Sequence, residues 1–470
     1  MGRCHLKHAS VKKISALFKR GERLNVSLAG GGTGTVLSSP TGINCPPTCS
    51  AVFPFETSVV LTEIPTMSNM FEAWSGACSG TALCAVKLSS SIWIAAKFQQ
   101  LKPSPNGTDT DVISYVFTPD SILGKTFEFA LLADGGLRLA NSLDPLQYGV
   151  MAPTAHGVVK VTRAAVLPSS TATIQSFAVE NGGGLEPEGA AQTVATDKFL
   201  NLVSDSTYVY ALSDEGVFAY QDAGSGLIPQ GVTKLRSNPP SPCTIEEENA
   251  GTCLYSSWMT LGGSLALFVQ STNTSNESQS MLSTFDRSQG EITSEGPLWN
   301  WNYSVPVPTP DGRFAYGFDP LGTDRLFRLD FPGDGIPVWN VLSNGAQIAD
   351  GFAQVLVSND GSFLFAVIYD GNESPRIRAF RIDRGSGDLT EIGGSPFLIG
   401  QYYFGWATLD PTGRFLLLTD GPCDASSGPC TEPGVLESMA IDGNSGALTV
   451  ISVAEDGVSP YNVFSAPISQ

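Results

Sequence analysis

A glycine followed within two residues by an apolar side chain recurs seven times along the chain: Gly136-Leu137, Gly184-Leu185, Gly226-Leu227, Gly290-Glu291-Ile292, Gly335-Ile336, Gly387-Asp388-Leu389 and Gly446-Ala447-Leu448. The apolar members are spaced by 48, 42, 65, 44, 53 and 59 residues. Four short strands with their turns need about 40–50 residues, the length of one propeller blade. The two longest intervals hold the cysteine pairs Cys243/Cys253 and Cys423/Cys430, so their excess reads as insertions. A second landmark precedes the first within the repeat. TPDGRFAY (309–316), SNDGSFLF (358–365) and DPTGRFLL (410–417) are each a turn followed by a strand. Innermost strands are expected just before them, at Val305–Pro308, Ala353–Val357 and Trp406–Leu409, and edge-ward strands after them, such as Ile377–Ile382 and Leu436–Ile441. The spacing predicts an all-β fold, a seven-bladed β-propeller over residues 111–470. Its first blade begins at a second strand, VISYVF (112–117), and an orphan strand in 459–468 pairs with it to close the ring.

Composition agrees with strands and tight turns. Of 470 residues 50 are Gly and 31 Pro, and only 15% are charged. The net charge is −19, which repels phosphate backbones and argues against nucleic-acid binding. The chain has no run of 18 apolar residues, so no transmembrane segment is expected. Residues 1–23 form a basic tail, read as disordered or a short helix, with no signal-peptide core.

The cysteines point to an oxidising compartment. Cys4 stands alone, and the other eight form close pairs: Cys45/Cys49, Cys78/Cys84, Cys243/Cys253 and Cys423/Cys430. Zinc would ask for C-x₂-C spacing and histidines, and only His156 lies outside the tail. Four local disulfides are therefore expected, with no metal and no cofactor. The location is then secreted, periplasmic or cell-surface.

Ahead of the propeller, residues 24–99 alternate apolar and polar positions in short runs separated by Gly/Pro/Ser clusters, which predicts a small β-rich module. GGGTG (30–34) reads as a hairpin turn. Trp74 is a candidate for sugar stacking, with core packing as the competing reading. Residues 100–110 have linker composition. The string GTGTV, SP-x-GI-x-C, V-x-L-T, F-x-x-W-S-G-x-C-S-G and the closing A-x-F resembles the bacterial surface repeat related to the B-repeat of internalins. That resemblance implies a spacer or adhesion unit.

Residues 111–470 resemble the lactonase (6-phosphogluconolactonase-like) family of propellers. The carriers are DPTGRFLLLTDG, IRAFRIDRGSGDLTEIGGSPFLIG and TPDGRFAYGFDPLGTDRLFRLDF. The last includes Asp319, Leu321, Gly322, Asp324 and Arg325, matching the family's Asp-Leu-Gly-x-Asp-Arg segment with Pro320 inserted. The resemblance implies a sugar-lactone hydrolase. Lactone hydrolysis needs a group that activates water and a cation for the oxyanion. The catalytic candidates are His156, Asp324 and Arg325, with Asp319 and Arg313 as further choices. Arg313 also reads as a turn residue paired with a nearby carboxylate. His156 is placed on an innermost strand by the repeat register. Where family enzymes carry a histidine before the Asp-Leu-Gly segment, this chain reads WNWNYSVPVP, with Asn302 and Tyr303. Trp299, Trp301 and Tyr303 are candidates for lining a binding surface. The expectation is an extracellular, monomeric, non-catalytic binding or scaffold propeller for a protein or carbohydrate ligand, with lactone hydrolysis as the alternative.

Overall fold

The computed structural model describes residues 21–65, 69–79, 84–100, 111–120, 123–143, 149–163, 171–195, 199–205, 207–213, 216–233, 253–262, 265–274, 278–286, 291–299, 306–318, 326–331, 338–342, 352–369, 376–399, 406–421, 433–457 and 462–468. Every regular element among them is a strand, so the chain is all-β. It divides into two compact units, Met1–Gln100 and Leu101–Gln470.

The first unit has eight strands: β1 (Gly21–Gly30), β2 (Gly34–Ser39), β3 (Asn44–Cys45), β4 (Ser50–Pro54), β5 (Ser58–Pro65), β6 (Asn69–Gly76), β7 (Cys84–Lys87) and β8 (Ile92–Gln100). They form two sheets, ordered β4-β1-β8-β6 and β3-β2-β5-β7. β1 and β8 run parallel; the other pairs are antiparallel. Alternation sends Leu24, Val26, Ile94 and Phe98 of one sheet and Val36, Val59 and Leu61 of the other into one core. Disulfides Cys45–Cys49 and Cys78–Cys84 close beside it. Trp74, only 2% exposed, belongs to that core, so the sugar-stacking reading is corrected to packing. Residues Gly21, Glu22 and Arg23 lie in β1, not in the tail. GGGTG is not a hairpin turn: β1 and β2 belong to different sheets, and the glycines let the crossing chain press on Phe98. A Cβ at Gly34 would come within 2.3 Å of that ring.

The second unit contains seven sheets among the described residues. The first is β9 (Val112–Asp120), β10 (Lys125–Leu132) and β11 (Leu137–Leu143), completed by the last strand of the chain. The second is β12 (Gly149–Pro153), β13 (Gly157–Arg163), β14 (Thr171–Val179) and β15 (Leu185–Ala195). The third is β16 (Phe199–Ser204), β17 (Tyr208–Ser213), β18 (Val217–Asp222) and β19 (Leu227–Thr233). The fourth is β20 (Cys253–Gly262), β21 (Leu265–Thr274), β22 (Ser278–Asp286) and β23 (Glu291–Trp299). The fifth is β24 (Val307–Pro308), β25 (Phe314–Phe318), β26 (Leu326–Asp330) and β27 (Val338–Val341). The sixth is β28 (Phe352–Val357), β29 (Phe363–Tyr369), β30 (Arg376–Ile382) and β31 (Leu389–Glu391), with β32 (Phe397–Leu398) also paired to β30. The seventh is β33 (Ala407–Leu409), β34 (Phe415–Asp420), β35 (Val435–Ile441) and β36 (Leu448–Glu455), and β37 (Phe464–Pro467) returns to β9.

Each sheet is an antiparallel meander, and the innermost strands touch in a ring: β37, β12, β16, β20, β24, β28, β33 and back to β37. Apolar clusters fill the space between successive sheets, for example Tyr316 and Leu326 against Leu364 and Phe380. The same packing joins Leu417 and Leu436 to Val116 and Phe129 across the seam between sheets seven and one. This is a β-propeller. Five of the seven Gly-x-apolar landmarks supply the first residue of an outermost strand (Leu137, Leu185, Leu227, Leu389 and Leu448). Ile292 is the second residue of β23, and Ile336 lies outside the described residues. The side chains of Cys243, Cys253, Cys423 and Cys430 also lie outside them.

Candidate functional site

In sheets five, six and seven the turn joining the innermost strand to the next is built from a short polar side chain that caps its own backbone. In sheet five, Thr309 Oγ1 donates to Asp311 Oδ1 (2.5 Å) and accepts from Phe314 N–H (3.2 Å). Ser358 repeats this with Asp360 and Phe363, and Asp410 accepts from the N–H of Thr412 (2.9 Å) and Phe415 (2.7 Å). These turns meet the outer hairpin turns of the next sheet on one rim of the propeller. Arg313 donates to the Arg384 and Gly385 carbonyls at 2.9 and 3.1 Å, and Arg414 donates to Ala133 O. Arg313 is therefore a joint between sheets five and six, bound to carbonyls rather than to a carboxylate. A glycine with positive φ in the neighbouring turn makes room for the aromatic ring at each joint. A Cβ at Gly387 would lie 2.7 Å from Phe314, and one at Gly446 2.4 Å from Phe363. A cleft of about 270 Å³ opens on this rim between Thr309–Asp311 and Asp360–Gly361, with Arg384 at its wall. Asp360 and Ser362 hold that guanidinium.

His156 belongs to the same rim. It lies in the turn between β12 and β13, exposed, rather than on an innermost strand. The turn is shorter than Thr309–Phe314: Thr154 N–H reaches Gly157 O after three residues (2.8 Å), which shifts the register. The ring lies beside the turn of sheet three, where a Cβ at Gly224 would stand 3.2 Å from Nδ1. Glu188 of β15 is its acidic neighbour, and the buried Asp222 of β18 acts on Glu188 in turn. Burial raises the Glu188 pKa, Asp222 raises it further, and His156 lowers it. The imidazole thus occupies a joint between sheets two and three, in the place that the Phe314, Phe363 and Phe415 rings take against Gly387, Gly446 and Gly135.

Asp319, Asp324 and Arg325 lie outside the described residues, as do Trp301 and Tyr303 and the side chain of Trp299. The residues that flank 319–325, Phe318 and Leu326, pair with each other at the end of β25 remote from the Thr309–Phe314 turn. Five strand residues separate the two ends, about 13 Å. His156 therefore sits on the rim opposite Phe318 and Leu326.

On that far rim, sequence reading missed a buried carboxyl pair at the ring seam. Asp456 follows β36, and Asp120 ends β9; both are buried. Thr118 Oγ1 donates to Asp456 Oδ1, while Asp456 Oδ2 has no hydrogen-bond partner among the described residues. Burial, with Asp120 adding repulsion, pushes the Asp456 carboxyl up to about 8. No local signal marks it, since AEDGVS has the composition of a solvated turn. Among the described residues, no three His, Cys, Asp or Glu side chains are arranged to hold a metal ion. No helix among them is long and apolar enough to cross a membrane.

No family profile matches the chain, and no curated protein matches it. Solved structures do. A protein from Lactobacillus plantarum superposes with a TM-score of 0.51 at 14% identity, covering 75% of this chain and 99% of its own. A putative 6-phosphogluconolactonase from Bacteroides fragilis gives 0.49 at 15% identity, covering 77% of this chain and 99% of that one. The periplasmic gluconolactonase of Pseudomonas aeruginosa gives 0.48 at 16%, with 76% and 99% covered. At such identities the likeness is one of fold.

Proposed function

We propose that the chain is an extracellular, periplasmic or cell-surface binding propeller without catalytic activity, with its first unit serving as a surface module. The observation that carries this reading is the position of His156. The propeller's one histidine is engaged in a joint on the turn rim, beside Gly224 and Glu188. It stands on the rim opposite the strand ends that flank Asp324 and Arg325. A hydrolytic site needs its base and its cation within hydrogen-bond reach of one substrate atom. The two disulfides of the first unit support an oxidising compartment. The ligand is a protein or a carbohydrate, and the propeller acts as a monomer.

The test is hydrolysis of glucono-δ-lactone and 6-phosphogluconolactone by the purified full-length chain. The expected rate equals spontaneous hydrolysis for the wild type, His156→Ala and Arg325→Ala alike. Enzymatic turnover that Arg325→Ala abolishes would overturn the proposal and establish a lactonase.

A further inference from the structure

The outer face of the sheet β4-β1-β8-β6 carries a half-exposed tryptophan in its middle. Alternation along β8 turns Ile94, Ala96 and Phe98 into the core, leaving Trp93, a covered Ala95 and Lys97 on the outer face. Trp93 is 51% exposed, although a large aromatic ring is among the side chains most favourably buried. Its indole lies over Gly76, where a Cβ would come within 3.0 Å of Cε3. The ring is thus backed by the Gly76 backbone while half of the residue's surface stays exposed.

The adjoining strands surround the ring with hydrogen-bonding groups. Asn25 is the direct cross-strand partner of Trp93, Ser50 is the partner of Asn25, and Arg23 lies two residues along β1, about 7 Å away. Arg23 Nη1 donates to Ser50 Oγ (3.0 Å), and Ser50 Oγ donates to Asn25 Oδ1 (2.9 Å). This relay orients both side chains and leaves Arg23 exposed and the Asn25 amide N–H₂ without a hydrogen-bond partner among the described residues. Arg23 has no carboxylate partner among the described residues, whereas Lys87 is paired with Glu56.

The side chains on this face select the ligand class. Residues 1–100 hold nine Lys/Arg and four Glu, a net charge of +5, whereas residues 101–470 hold 17 Lys/Arg and 41 Asp/Glu, a net charge of −24. Six of those nine cations fall in residues 1–20, outside the described residues, and residues 21–100 hold three Lys/Arg against four Glu, so the cation this face offers an anion is Arg23 itself. An aromatic face suits the apolar C–H face of a sugar ring, a side-chain amide suits hydroxyls, and an unpaired guanidinium suits a carboxylate. We infer that the outer face around Trp93, Asn25 and Arg23 is a binding site for uronic-acid-containing glycans.

The test is native gel retardation of the full-length protein in polygalacturonate, alginate and hyaluronate, with neutral hydroxyethylcellulose, duplex DNA and phosphatidylserine vesicles as comparators. It is run at physiological ionic strength, where exposed charges are screened beyond about 8 Å. Retardation by at least one uronate polymer is expected, weakened about tenfold or more by Trp93→Ala and by Arg23→Ala, as for loss of a binding anchor. Trp93→Phe should keep part of the affinity, and an unchanged thermal midpoint in each variant separates lost binding from lost folding. Absence of retardation in all three polymers overturns the inference. So does retardation that Trp93→Ala leaves intact, which would assign binding to the basic tail alone. Equal binding to DNA, vesicles and uronates also overturns it, because the face would then read charge rather than sugar.

Discussion

Asp456 is buried against Thr118 at the seam of the ring, and its pKa stands at about 8, far above the ordinary carboxyl value. In the unfolded chain the same group loses its proton near pH 4. Between those values the folded state binds the proton that the unfolded state has released. Stability is therefore greatest below the unfolded pKa, falls as pH rises from about 4 to about 8, and then levels off. The slope from this one group approaches 1.4 kcal/mol per pH unit. Asp456→Asn keeps an Oδ1 acceptor for Thr118 and removes the titration. The variant is expected to melt higher than wild type at pH 8 and to show a flatter Tm–pH profile between pH 5 and 8, measured by calorimetry. A wild-type slope retained in the variant would place the titration elsewhere. Two glycines of one turn supply a second residue-scale contrast. Gly446 has φ +78 and leaves no room beside Phe363, whereas a Cβ on Gly443 meets nothing within 4 Å. Gly446→Ala should cost roughly 2–4 kcal/mol, from left-handed backbone and overpacking. Gly443→Ala should stay within about 0.5 kcal/mol of wild type. Urea denaturation of the pair measures both.

At the scale of elements, the Cys78–Cys84 bridge pins the connection between β6 and β7 beside Trp74. Replacing both cysteines by alanine removes a short-loop constraint of about 2 kcal/mol. The expected result is a lower urea midpoint for the Trp74 near-ultraviolet signal, with the native spectrum kept in buffer. Most elements of both units were legible in sequence, because turn glycines and period-2 alternation are local properties. Leu448 opens β36 because Gly446 supplies the left-handed turn before it. The misreadings have non-local causes. GGGTG looks like a hairpin turn because the same glycines serve a crossing between sheets, and only the packing on Phe98 distinguishes them. His156 reads as an innermost-strand residue because its turn is shorter than the Thr309–Phe314, Ser358–Phe363 and Asp410–Phe415 turns that mark the repeat in the sequence. Trp74 and Trp93 both sit in alternating strands, and which tryptophan is covered depends on which face the second sheet occupies. Asp456 is buried by a strand from the opposite end of the chain, which no local window contains.

At the scale of the molecule, the propeller is closed by four residues. Phe464–Pro467 pair antiparallel with Ser114–Phe117, and the Phe464 and Phe117 rings stack at 5.1 Å. Ser465 Oγ donates to Ser114 Oγ at 3.0 Å across 351 residues of chain. Bringing ends so distant together costs loop-closure entropy, so the contacts that hold them must be strong once made. β37 also supplies the innermost strand of its sheet and touches β12 and β33 on either side. Without it, β9 has a free edge, and sheets two and seven lose their neighbour in the ring. Phe464→Ala removes a buried ring and should cost about 3–5 kcal/mol. Truncation after Asn462 should do more than lower stability. The exposed β9 edge is expected to recruit other chains, so the truncated protein should elute as oligomers in size-exclusion chromatography and lose its single cooperative urea transition. Adding a synthetic peptide spanning 462–470 in trans should restore the monomer, because the missing strand is then supplied to the same edge. A truncated chain that stays monomeric with an unchanged urea midpoint would show that the other six sheets hold the ring without this seam.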